Sequence, residues 1–184
     1  MRKKFGSWQQ LTTKIIHKNP FFSVTEDTVL RPDGTDGTFW KVVQPVGGVM
    51  IVPVDDRQNV QLIGLHRYAN DTYSLEVPGG RVDDNDPLAA AKLELAEEAG
   101  LSAKHWKQLS STYPAKGLLK EVNYMFLATG LSPTGHNEQA EEGIEETRSV
   151  PFEQLWDMIE TGEITDGQTI TALTLAAIEL GLIR

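Results

Sequence analysis

Glu94-Leu95-Ala96-Glu97-Glu98-Ala99-Gly100, a short way after Pro78-Gly79-Gly80, is the stretch on which the fold and its chemistry turn. Read as a helix, Glu94 is followed by Glu97 at i+3 and Glu98 at i+4, so three carboxylates fall within an arc of roughly 100°. Leu88, Ala91, Leu95 and Ala99 form a neighbouring stripe that should face the core. The ends are also written in the chain: Asp86 supplies an N-cap, Pro87 suits the first turn and Gly100 the position past the last. The carboxylates therefore ride on the shoulder of a buried helix. Each like-charge pair there costs roughly 0.2–0.5 kcal/mol even when exposed, and a divalent cation reverses that sign. Mg²⁺ or Mn²⁺ suits such hard oxygen ligands. A solvated acidic face is the ordinary alternative for a charge run. Against it stand the glycine pair, which lets the backbone turn sharply beside a ligand, and the carboxylates of Asp83, Asp84 and Asp86 in the intervening loop.

Outward from this helix the pattern is of strands. Phe21 to Leu30 and Trp40 to Val46 read as a hairpin around Arg31-Pro32-Asp33-Gly34. Val49 to Val54, Val60 to Tyr68 and Ser74 to Val77 follow, and His105 to Tyr113, Val122 to Thr129 and Ile144 to Val150 come after the helix. A polar loop rich in Glu, Gly and Asn fills Leu131 to Gly143, and helices over Phe152 to Glu160 and Gln168 to Leu180 finish the chain. Mixed strands with three helices predict an α+β fold, an α/β/α sandwich. A small N-terminal β region over 1–46 is set apart from a main domain over 47–184.

The 184 residues suffice for one domain of sizeable core with a small extension. The formal net charge of -9 argues against a nucleic-acid backbone or an anionic membrane as main partner. A metal can still bring an anionic ligand to an acidic protein. With no cysteine, thiolate zinc sites and disulfides are excluded. The basic start Met1-Arg2-Lys3-Lys4 is not followed by the apolar run of a signal peptide, and no segment reaches membrane-spanning length, so the expectation is a cytoplasmic protein. His17, His66, His105 and His136 show no paired metal spacing.

At the carboxylate helix the chain resembles the Nudix hydrolases, whose signature ends Arg-Glu-aliphatic-x-Glu-Glu-x-Gly-aliphatic; Glu94 to Leu101 matches from its Glu onward. His66-Arg67-Tyr68, Leu75-Glu76-Val77-Pro78-Gly79-Gly80, Tyr113-Pro114 and the tail Gly162-Glu163-Ile164-Thr165-Asp166 look like the ADP-ribose and nucleoside diphosphate sugar pyrophosphatase branch. The resemblance runs from about Asn19 to Leu182. It departs at the signature Arg, where Leu93 stands, and at the first Glu, which falls on Asn85 or Asp86 according to the direction of counting. In the family those two residues pair and brace the loop, and losing both leaves neither charge unpaired.

The resemblance implies a Nudix-type sandwich and hydrolysis of the diphosphate of ADP-ribose or a related nucleoside diphosphate sugar. It also implies Glu94, Glu98, Glu97 and the Gly79 carbonyl as metal ligands, with Mg²⁺ or Mn²⁺ as the ion. Glu97 serves a second ion or its water, and the catalytic base comes from the acidic loop Glu138 to Glu146, with Glu142 ahead of Glu141. Arg67 is the expected phosphate clamp, Glu76 its support or a sugar ligand, and Gly80 part of the substrate turn. Phe22 and Trp40, with Phe21, stack on a base, and a homodimer carries those N-terminal hairpins to the partner's site. Two alternatives stay open: a sensor domain that binds a nucleotide sugar with little turnover, and a pyrophosphatase for another nucleotide or dinucleotide.

Overall fold

The strand Gly48–Val54 is buried on both faces, and its side chains show why. Val49 and Ile51 pack with Ala91, Leu95, Phe126 and Ala128. Val52 and Val54 join Leu127, Leu155, Leu173 and Ala176 in a second cluster. Alternation with both faces apolar is what a sheet covered by helices on either side requires. The computed structural model describes residues 3–82 and 85–183, so Asp83, Asp84 and the opening Met1-Arg2 lie outside the described residues.

In chain order the strands are β1 (Lys3–Phe5), β2 (Trp8–Lys18), β3 (Ser23–Leu30), β4 (Asp36–Val43), β5 (Gly48–Val54), β6 (Asn59–Arg67), β7 (Thr72–Glu76) and β8 (Gly79–Arg81). Helix α1 (Pro87–Ala99) precedes β9 (Leu101–Thr112), β10 (Leu119–Lys120), β11 (Asn123–Pro133) and β12 (Ile144–Pro151), and α2 (Gln154–Glu160) and α3 (Gly167–Glu179) end the fold. The chain divides into two units, Met1–Val46 with Tyr113–Val122, and Gly47–Thr112 with Asn123–Arg184. Tyr113–Val122 thus groups with the N-terminal strands, although it lies inside the 47–184 stretch.

The first unit is a sheet in the order β1-β2-β3-β4-β10. Alternate residues Thr25, Asp27 and Val29 of β3 form its buried face, where Asp27 is paired with Lys41 of β4. The second unit has the order β12-β6-β5-β11-β9, with β7 on β6 and β8 on β5. β5 and β11 run parallel and the other pairs of this sheet are antiparallel. α1 covers one face, and α2 and α3 supply the cluster on the other. This is the expected α/β/α sandwich.

Candidate active site

Two charged groups converge on Gly79, and the first is built on α1. Asp86 accepts the N–H groups of Leu88 at 3.1 Å and Ala89 at 3.0 Å, while Gly100, at φ 65°, donates to the Ala96 carbonyl. These caps fix the phase of the helix. Leu95 is fully buried, Glu98 is 5% exposed, and Glu94 and Glu97 are half-buried. The solvated acidic face is therefore not what the helix presents. Leu93, in the place of the family Arg, is exposed, and Asn85 sits at φ 57°, so Asp86 takes the capping role and neither rebuilds the brace.

The glycines act differently from the expected sharp turn. Gly79 and Gly80 are extended and pair as β8 with Met50 and Val49. Their use is close approach. A Cβ on Gly79 would lie 2.4 Å from the Val49 carbonyl, and one on Gly80 would lie 1.9 Å from Glu94 Oε1. The Gly79 N–H donates to Glu98 Oε2 at 2.7 Å. Glu94 and Glu98 thereby close on adjacent glycines from one helix face.

Burial pushes the Glu98 carboxyl up to about 8; the Gly79 hydrogen bond and Arg67 pull it down, and the charges of Glu94 and Glu142 push it up. Glu97 is also raised, by burial first and then by Glu138 and Glu142, with His136 opposing. Glu142 is thus the loop carboxylate whose charge reaches both. It is held there by the end of α1: the Glu138 N–H donates to the Glu97 carbonyl at 2.9 Å, and Gln139 Nε2 to the Glu98 carbonyl at 2.9 Å. Carbonyls that a helix C-terminus leaves without an intrahelical partner are satisfied by the acidic loop. The N–H groups of Glu141 and Glu142 fold back on the Glu138 carbonyl.

The second group belongs to the β6–β7 hairpin. Arg67 Nε donates to Glu76 Oε1 at 2.9 Å and Nη2 to Oε2 at 2.5 Å, a two-pronged pair with Glu76 buried. The hydrogen bond from Arg67 to Glu76 raises the guanidinium pKa further, so it stays charged. Both residues line a cleft of ≈ 680 Å³ together with Gly79, Tyr68, Asp166 and Gln168. Glu94, Glu97, Glu141 and Glu142 do not line it; Gly79, bonded to Glu98, is where cleft and helix meet. Phe22 and Trp40 belong to the first unit. Phe22 has its ring centroid 5.8 Å from that of His17, and Trp40 is 47% exposed on β4.

Gln139, which holds the acidic loop to α1, and Gln168 at the cleft carried no sequence expectation as site residues. Asp166, expected only as part of the tail that resembles the family, caps α3 by accepting the Thr169 N–H at 2.6 Å.

Among the described residues, no three His, Asp or Glu side chains already converge as a metal cage. The donors nonetheless fit a hard divalent cation. Burial first, then the charges of Glu138 and Glu142 at Glu97 and of Glu94 and Glu142 at Glu98, raises the proton affinity of these two carboxyls at the negative end of a helix, and Glu98 retains its proton to about 8. A cation bound among these oxygens would offset that cost of burial.

The NUDIX domain pattern matches residues 45–173, and the chain belongs to that family of hydrolases. The pattern described as nucleoside diphosphate sugar hydrolase N-terminal domain matches residues 8–39 of the first unit. Across 95% of this chain and 83% of the relative, the sequence is 30% identical to a CMP-5'-(N-acetyl-N-hydroxy-3-aminopropyl)phosphonate hydrolase of Streptomyces rubellomurinus. It is 31% identical to an ADP-ribose pyrophosphatase of Mycobacterium tuberculosis, over 73% of this chain and 67% of that one. An ADP-ribose pyrophosphatase of Bacillus subtilis is 27% identical over 90% and 92% of the two chains. A solved structure titled as an ADP compounds hydrolase superposes with a TM-score of 0.85 at 20% identity over 97% of both chains, a likeness of fold.

Proposed function

We propose that this Nudix hydrolase cleaves the diphosphate linkage of ADP-ribose or a related nucleoside diphosphate sugar, giving a nucleoside monophosphate and a sugar phosphate. The observation that carries the reading is the meeting at Gly79 of a buried carboxylate helix and a cleft bordered by a braced arginine. Likeness to a hydrolase of a CMP-linked phosphonate and to two ADP-ribose pyrophosphatases supports the same reaction class.

Glu94, Glu98 and the Gly79 carbonyl would hold the divalent ion, Mg²⁺ or Mn²⁺, with Glu97 for a second. Such an ion, when bound, neutralises diphosphate charge and lowers the pKa of water. Arg67 grips a phosphate: a guanidinium has five N–H donors and Glu76 occupies two, which leaves three for the ligand. Because Glu76 is buried and bidentate, it fixes the plane of that fork. Glu142 accepts the proton of the attacking water, and Glu141 is the second choice because its charge does not figure at Glu97 or Glu98. Gly80 keeps the Glu94 carboxylate close to the substrate strand.

Phe22 and Trp40 stack on the base, and a homodimer places them at the partner's cleft. The exposure of Phe21, Trp40 and Ile15 on the first unit supports that arrangement. The same reading sets the protein in the cytoplasm; among the described residues no helix is long and apolar enough to cross a membrane. A panel of nucleoside diphosphate sugars with Mg²⁺ or Mn²⁺ tests the proposal. Monophosphate release by the wild type and its loss in Glu97→Gln/Glu98→Gln are expected; equal release by both proteins would sink it.

A further inference from the structure

The acidic loop follows β11, is held against the end of α1 and then enters β12, and this second junction is as specific as the first. The pairing of β12 with β6 shifts register between Ile144 and Glu146. A bulge of this kind re-aims the side chain that follows it. Here that side chain is Glu146, whose Oε1 accepts from the Tyr73 hydroxyl and, at 2.7 Å, from Arg148 Nη2. Arg148 Nη1 in turn donates to Glu163 at 2.5 Å. The contact from Tyr73 depends on a notch in β6. A Cβ on Gly64 would lie 2.0 Å from the Tyr73 hydroxyl and 2.7 Å from Glu146 Cγ.

Burial, and then the hydrogen bond to Glu146, pushes the Tyr73 phenol up to about 12. The hydrogen bonds from Tyr73 and Arg148 hold the Glu146 carboxyl below the usual range. Phenol and carboxylate therefore keep their donor and acceptor roles throughout neutral pH. Between this junction and the hold on α1, the Ile144 N–H donates to the Gln139 carbonyl at 2.8 Å and Gly143 turns back at φ 71°. Glu141 and Glu142 stand on a short closed ring of chain tied down at both ends.

We infer that Gln139 and Tyr73 are positioning residues, the two anchors of a clamp that holds Glu142 against the carboxylate helix. The inference rests on the proposed function for the role of Glu142, but the clamp itself rests on the contacts at its ends. Gln139 ties the loop to the last turn of α1, so helix and base move as one body. Tyr73 ties it to the hairpin that carries Arg67 and Glu76. A base so placed is registered against both halves of the site. Small displacements of a reacting group slow chemistry far more than they weaken binding.

Gln139→Met keeps length and removes the donor, and Tyr73→Phe removes only the hydroxyl. Each is assayed as the full chain on a turned-over nucleoside diphosphate sugar with Mg²⁺, beside amide hydrogen exchange, with Lys107→Gln, far along the exposed pair with Glu179, as control. In both variants kcat falls roughly tenfold with KM held within about twofold, and exchange quickens at Glu141 to Ile144 but not along α1. The double variant loses less than the product of the single losses, as residues acting on one element do. Wild-type kcat in either variant, unchanged exchange at 141–144, or faster exchange throughout α1 with kcat and KM failing together would overturn the clamp. If Gln139→Met does not fold, Tyr73→Phe decides from the other end. Should the wild type turn over no nucleoside diphosphate sugar, the functional reading fails, and the exchange measurement still decides the clamp.

Discussion

The Arg67–Glu76 pair and the Glu94/Glu97/Glu98 helix bury charge in opposite ways. In the hairpin a buried carboxylate faces a guanidinium in two hydrogen bonds, so burial is compensated within the chain. On the helix, carboxylates are gathered beside one another and beside Glu142, and burial raises the proton affinity of Glu97 and Glu98. The first arrangement is electrostatically complete. On the proposed function the second takes up positive charge from outside, and the contrast then separates a group that grips from a group that recruits.

The contrast is broken most severely at Glu98. Glu98→Gln should lower kcat/KM by about 10²–10³-fold, and chelation of divalent ions should bring the wild type to the same level. Steady-state assays with and without chelator, then with Mg²⁺ restored, check both. A smaller effect is expected at the completed pair. Glu76→Ala should raise KM about tenfold and destabilise by about 1–3 kcal/mol, less than for a fully buried pair because Arg67 is 46% exposed on its side chain. Denaturant titration beside the kinetics separates the two losses.

The pH dependence sharpens the same difference. Below the ordinary value of 4.5 the Glu98 carboxyl is protonated in folded and unfolded chains alike, whereas between 4.5 and about 8 only the folded chain keeps the proton. The folded state then binds more protons, so stability contributed at Glu98 is lost as pH rises through that window. In chelator, the difference in Tm between wild type and Glu98→Gln should therefore move against the wild type from pH 5 to about pH 8. Saturating Mg²⁺ should reverse the trend, because only the wild type gains the ion. The smallest effect is expected from Leu93→Arg with Asn85→Glu. Leu93 is exposed and Asn85 is left-handed, so the paired change should alter kcat by no more than about threefold and cost about 1–2 kcal/mol of stability. A large rate gain would show that the missing brace limits the enzyme.

Helix α1 was legible to the residue, because Asp86, Pro87 and Gly100 are local signals that no distant contact overrides. The strands of the sandwich other than β8 were legible for the same reason, their apolar runs being long and bounded by turns, though β9 starts at Leu101 rather than His105 and β11 runs on to Pro133 rather than Thr129. β2 was not. It is largely exposed, and register shifts at Gln10/Thr12 and Ile15/His17 break the two-residue period by which a strand is recognised. β4 begins at Asp36-Gly37, residue types that strands disfavour, and so was expected to start only at Trp40. In the site, the three glutamates could be placed on one face from spacing alone. The hold of Gln139 on the Glu98 carbonyl and of Tyr73 on Glu146 could not, since each spans a separation that only the folded sheet closes.

Gly79 presses its bare Cα against the Val49 carbonyl, a backbone atom that cannot swing aside to make room for a methyl group. Every amino acid that a single nucleotide change can substitute for glycine carries at least that methyl group. Position 79 therefore has no neutral neighbour in the genetic code, and lineages that keep this arrangement must cross from glycine to glycine by silent changes alone.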